Sequence, residues 1–100
     1  MALARRYASR IGHLHAKDVR AAVATRAGRG DWSFLRAVVE GVFTVPGDGC
    51  VPFDRVFQEL RGYSGWVVLE AEQDPKKADP YTYASLGLRN LRQLVTETRR

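Results

Sequence analysis

The sequence predicts an α/β fold with parallel strands, too small to be complete by itself. Three observations lead there. The run WVVL at 66–69 is four consecutive apolar residues ending on the carboxylates of Glu70 and Glu72, which suits a parallel strand covered on both faces by helices. Strand-like and helical patterns alternate along the chain, implying parallel pairing through crossovers. Only two strands are predicted, and two strands leave both sheet edges open and cannot bury both faces of WVVL.

The elements follow in order. LARRYASR (3–10) reads as the last turns of a helix, with Leu3 and Tyr7 at i, i+4 spacing. It has no visible N-cap, so the chain is expected to continue a structure begun upstream. IGHLHAK (11–17) reads as a short strand. DVRAAVATRAGRG (18–30) is small, basic and glycine-bearing, and reads as a surface loop or a frayed helix. In 31–43 a helix is expected, capped by Asp31 or Ser33, with Phe34, Leu35, Val38 and Val39 as its apolar face. Pro46, Gly47 and Gly49 make 44–53 a turn-rich loop. A short helix to Leu60 follows, with Phe53, Val56, Phe57 and Leu60 on one side and Gly62 as its C-cap. After the strand at 66–72 and a polar loop, Asp79 caps a final helix with Pro80 at its first position. Its buried stripe is predicted as Ala84, Leu88, Leu91 and Val95.

Composition narrows the function. Of 100 residues, 16 are Lys or Arg and 11 are Asp or Glu, a formal charge of +5. Much of the excess sits at the ends, in Arg5, Arg6, Arg10, Arg99 and Arg100, with Arg20, Arg26 and Arg29 in the polar stretch. Basic and aromatic residues do not interleave, so no nucleic-acid partner is expected. No apolar run is long enough to span a bilayer, and MALARRYASR lacks the apolar core of a signal peptide. The single cysteine, Cys50, has neither a disulfide partner nor a CxxC companion, which fits a reducing cytoplasm.

In parallel α/β folds the functional groups collect at the carboxyl ends of the strands. Here those ends carry His15, Lys17 and Asp18 on one strand and Glu70 and Glu72 on the other. An imidazole nitrogen and a carboxylate oxygen are compatible ligands for Mn²⁺, Co²⁺, Fe²⁺ or Zn²⁺. Two such ligands hold a metal poorly without one or two more.

The segments IGHLHAKDVR, GVFTVPGDGCVPF, LRGYSGWVVLEAEQDP and DPYTYASLGLRNLRQL together resemble the C-terminal end of the inosose dehydratases. These belong to the xylose isomerase-like superfamily of TIM-barrel sugar isomerases and epimerases. The resemblance covers nearly the whole chain and implies the C-terminal two βα units of a (β/α)8 barrel, incomplete as a barrel on its own, with residues 1–100 as one C-terminal piece of that domain. It implies a divalent metal, manganese or cobalt, with His15 and Glu70 as ligands beside two carboxylates from earlier strands. Glutathione is associated with some members. The implied substrate is a small polyol ketone, scyllo-inosose (2-keto-myo-inositol), which loses water in inositol catabolism. A metal on the ketone stabilises enediolate charge, a base removes the α proton and the β-hydroxyl leaves. Lys17, at the strand end, is the catalytic candidate, stabilising oxyanion charge or hydrogen-bonding a ring hydroxyl.

The substrate-binding candidates are His13, Arg20 and Glu72. His13 lies two residues before His15 on the same side of the strand, packing or hydrogen-bonding beneath the site. Arg20 stands near the place where related epimerases carry a substrate-binding arginine, at a different spacing. Glu72 reads as either a support for the site or a surface charge. Asp48 in PGDG reads as a turn former. Two other readings compete with the dehydratase: a sugar isomerase or epimerase of the same superfamily, and a truncated, non-catalytic piece that survives by self-association. EAEQDP favours the dehydratase. The expected partner is a second copy of the chain or the missing N-terminal part of the barrel.

Overall fold

The computed structural model describes residues 1–98; Arg99 and Arg100, counted above among the terminal charges, lie outside the described residues. Helix α1 covers Ala2–Tyr7 and tightens into a 3-10 turn at Ala8–Arg10. Strand β1 is Leu14–Ala16 and strand β4 is Val67–Leu69, paired in parallel with Leu14 opposite Val67, His15 opposite Val68 and Ala16 opposite Leu69. Parallel pairing across this sequence distance requires a crossover, and residues 17–66 make it.

Side chains alternate across a strand. One face of the pair therefore presents Leu14, Ala16, Val67 and Leu69, and these pack with Phe53, Phe57, Leu91, Leu94 and Val95 in the core. Phe53 and Phe57 belong to α4 (Phe53–Glu59), their rings 6.0 Å apart, and Leu91 to α5 (Pro80–Thr98). Val56, Phe57 and Leu60 lie on the inner side of α4, as their spacing predicts. Helix α4 ends at Leu60 rather than through a left-handed Gly62.

The other face of the pair is open, as expected of two strands that cannot bury both faces of WVVL. Trp66 is 78% exposed and Val68 is 36% exposed, because no element among the described residues covers the side they share with His13 and His15. The stripe of α5 is also rotated from the predicted one. Gly87 and Leu91 are buried and Leu94 and Val95 half-buried, whereas Ala84 and Leu88 are exposed. The helix start is as predicted: Asp79 Oδ2 accepts hydrogen bonds from Thr82 N (2.9 Å) and Thr82 Oγ1 (2.7 Å), capping the first turn.

Residues 18–44 form an excursion that sequence periodicity did not resolve. Strand β2 (Asp18–Val19) pairs antiparallel with β3 (Phe43–Thr44), closing its base. Between them lie α2 (Ala21–Arg29) and α3 (Phe34–Val39). The stretch expected as a loop or frayed helix is thus an ordered helix. Asp31, one of two expected caps of α3, instead ends α2. It adopts φ 50°, with Trp32 N bonded to Ala27 O and Asp31 N to Gly28 O, the paired bonds of a Schellman ending. Ser33 caps α3, its Oγ accepting from Arg36 N at 3.1 Å. Gly41, at φ 90°, closes α3 by the same motif, with Val42 N on Ala37 O and Gly41 N on Val38 O. Phe34 and Leu35, predicted as a buried face, are 65% and 71% exposed, because α3 stands out from the core on this excursion.

Candidate active site

The register of the parallel pair builds the site. Glu70 N donates to Ala16 O at 2.9 Å, which carries the β1–β4 ladder one rung past β4. Glu70 is thereby fixed on the open face beside His15. His15 Nδ1 lies 2.5 Å from Glu70 Oε1. An ionised carboxylate only accepts, so Nδ1 is the donor of this bond.

Lys17, next along the same side of the chain, places Nζ 3.1 Å from Glu70 Oε2 and 3.4 Å from Glu72 Oε1. The hydrogen bond from His15, and then that from Lys17, hold the Glu70 carboxyl below its usual range. For Lys17, partial desolvation is the largest single influence and opposes the charge. The bonds and charges of Glu70 and Glu72 together outweigh it and raise its pKa. The ammonium also lies 4.2 Å from the centroid of the Phe43 ring.

His13, on the same open face, is exposed and makes an edge-to-face contact with His15, ring centroids 5.0 Å apart. Arg20 does not join this group. Its Nη1 donates to Gly41 O and Phe43 O, each at 2.9 Å, and its Nη2 to Thr44 Oγ1 at 3.2 Å and Tyr83 OH at 3.4 Å. Asp48 Oδ2 stands 3.8 Å from Nη2. The guanidinium thus ties β3 to α5 and to the loop after β3.

Asp18 is the structural anchor that residue types did not disclose. It is fully buried, and its Oδ1 accepts from Val19 N (2.8 Å) and Val51 N (2.9 Å) while Oδ2 accepts from Gly47 N (3.0 Å) and Gly49 N (3.1 Å). The loop it holds begins with a type II turn. Pro46 sits at its second position, Gly47 takes φ 88° at its third, and Asp48 N bonds to Val45 O at 3.1 Å. Asp48 is a turn residue, as expected, and also accepts from Thr44 Oγ1 at 2.7 Å. The only signal for Asp18 in the sequence was an aspartate at a strand end followed by a glycine-rich turn.

His15 and Glu70 form a nitrogen and oxygen donor pair of a kind that suits a borderline divalent cation. Among the described residues no group of three or more His, Cys, Asp and Glu side chains converges, so the chain offers two donors, with Glu72 nearby. No helix among the described residues is long and apolar enough to cross a membrane.

Residues 1–94 match the sequence model of the xylose isomerase-like TIM barrel family. The chain is 53% identical to the rhizopine catabolism protein MocC of Rhizobium meliloti over 97 residues, 95% of this chain and 30% of that protein. It is 49% identical over 86 residues to the inosose dehydratase of Clostridium beijerinckii, covering 84% of this chain and 29% of that enzyme. Against the inosose dehydratase of Geobacillus kaustophilus it is 47% identical over 95 residues, covering 93% of this chain and 31% of the enzyme. The chain therefore spans about 30% of the length of these curated relatives. On the family match over nearly its whole length, the chain belongs to the xylose isomerase-like TIM barrel family.

Proposed function

We propose that this chain supplies the C-terminal two βα units of an inosose dehydratase-like (β/α)8 barrel, and that the whole protein removes water from 2-keto-myo-inositol. The observation that carries the reading is the meeting of His15, Glu70 and Lys17 at the carboxyl ends of two adjacent parallel strands, where barrels of this kind keep their chemistry. Relatives named inosose dehydratase, at 47 to 52% identity to this chain, support the substrate class.

In this reading His15 and Glu70 hold a manganese or cobalt ion, completed by ligands from outside the chain. When bound, the ion polarises the ketone and the neighbouring hydroxyl. Lys17 donates a hydrogen bond to the oxygen on which negative charge develops, held in place before the reaction starts. Glu72 shares the Lys17 ammonium, so that Glu70 is not its only counter-charge. His13 supports the His15 ring from its edge. His15, Glu70 and Glu72 are all engaged with one another or with Lys17, so the base that takes the α proton is assigned to strands outside these residues. The C–H bond α to the ketone breaks, its electrons move toward the carbonyl, and the β-hydroxyl departs as water after gaining a proton. Glutathione is assigned no residue of this chain. The proposed setting is the cytoplasm, where a lone exposed thiol such as Cys50 stays reduced.

A chimera tests the assignment: residues 1–100 replace the matching C-terminal part of the Clostridium beijerinckii enzyme. Metal-dependent loss of 2-keto-myo-inositol with release of the dione supports it. A chimera that instead isomerises or epimerises ketoses, with no dehydration, assigns the chain to another activity of the family.

A further inference from the structure

We propose that Phe43 is a positioning residue of this site, its ring face seating the Lys17 ammonium beside Glu70. The proposal rests on the reading of Lys17 as the cation that meets substrate. Lys17 is the junction residue between β1 and β2, where the chain leaves the parallel pair and enters the antiparallel ribbon. A lysine side chain there is long and freely rotating, and ordering it costs conformational entropy. Three groups fix its head: Glu70 at 3.1 Å, Glu72 at 3.4 Å and the Phe43 ring centroid at 4.2 Å. A cation over an aromatic face is attracted by the ring quadrupole. The ring differs from the carboxylates in that it consumes no acceptor lone pair. Glu70 already accepts from His15 and in the proposed function also binds a dication, so a support that leaves its oxygens free has chemical value.

Phe43 is itself held from several directions. It pairs with Val19 across the β2–β3 ribbon, and its ring is tilted against Phe34 with centroids 5.8 Å apart. Its carbonyl accepts from Arg20 Nη1 at 2.9 Å and from Gln73 Nε2 at 3.2 Å. Gln73 follows the β4 strand end, so the two sides of the site are tied together through this one carbonyl. Arg20 thereby serves the site through Phe43.

The test uses the full chain with 13Cε-labelled lysine, which gives resonances from Lys17, Lys76 and Lys77 alone. Ring currents shift the Lys17 signal upfield of the other two. Phe43→Leu removes that shift and Phe43→Tyr, which keeps the π face, retains it. A Lys17 signal that coincides with Lys76 and Lys77, or one left unmoved by Phe43→Leu, overturns the proposal. Turnover of 2-keto-myo-inositol by the chimera gives a second readout. Phe43→Leu lowers kcat by about fivefold, the size of one cation–π contact, with KM unchanged, and Phe43→Tyr restores it. Equal losses in both variants, or loss in neither, contradict the positioning role. Failure of the unsubstituted chimera to dehydrate the ketone overturns the proposed function, while the resonance shift still decides whether Phe43 seats Lys17.

Discussion

His15 Nδ1 and Glu70 Oε1 stand 2.5 Å apart although 55 positions separate them in the chain. Neither strand alone could set that distance. It follows from the register that puts His15 opposite Val68 and from the extra rung between Glu70 N and Ala16 O. A slip of one residue turns every side chain to the other face, so the pair exists only in this register.

The first prediction concerns that pair. In the chimera, His15→Ala and Glu70→Gln each remove a proposed metal ligand. Both variants should weaken Mn²⁺ binding by tenfold or more on the order expected for a lost ligand, read by titration calorimetry. His13→Asn, which alters only a ring-edge contact, should change it far less. Equal weakening in all three variants would show that His13 is as close to the ion as the other two.

A second prediction follows from Asp18. In Asp18→Asn one carboxylate oxygen becomes an NH₂ group, which cannot accept from the two backbone N–H groups that it faces. Leaving buried donors unpaired costs about 3 kcal/mol or more, so the urea midpoint of the chimera should fall clearly. Asp48→Asn, at the partly exposed turn, should cost less. A wild-type midpoint for Asp18→Asn would mean that the loop at 45–51 holds without its anchor.

The cap of α5 gives a dependence on pH. Asp79 is held below its ordinary value by the Thr82 side-chain hydrogen bond first and by the Thr82 backbone N–H second. Its folded pKa is depressed, so the stabilisation is present above the unfolded value and is lost as pH falls through the folded one. Asp79→Ala should therefore be less stable than the parent at pH 6, and the gap should close as pH falls below the ordinary aspartate range. A gap that widens on acidification would reverse the assigned cause.

The open face predicts association. Trp66 and Val68 present apolar surface on a pair of strands with unpaired edges, and such edges recruit other chains. Sedimentation of the purified 100-residue chain should give species larger than the 11.2 kDa monomer. A single cooperative monomer would show that this face is stable in water.

Much of this architecture is legible in the sequence, for identifiable reasons. The run WVVL, the Asp79–Pro80 helix start and the inner face of α4 are written in local pattern, and they appear where the pattern puts them. The exposed Phe34 and Leu35 were read as core because periodicity reports an apolar face without reporting what covers it. The ribbon of β2 and β3 has two residues per strand, too few for any alternation to register. Asp18 and Phe43 escaped because their partners are backbone N–H groups and a lysine head brought near by topology, and neither leaves a spacing to read. His15, Glu70 and Lys17 were legible as strand-end residues; only the register shows that they touch.

The most direct measurement is 2-keto-myo-inositol turnover by the chimera with and without Mn²⁺, beside the isolated 100-residue chain. The chain alone brings together no third metal donor among its described residues, and its site lies on an open face. The account predicts metal-dependent dehydration by the chimera, loss of that activity in Glu70→Gln, and none from the isolated chain. Full turnover by the Glu70→Gln chimera, or metal-dependent product from the chain alone, would contradict it.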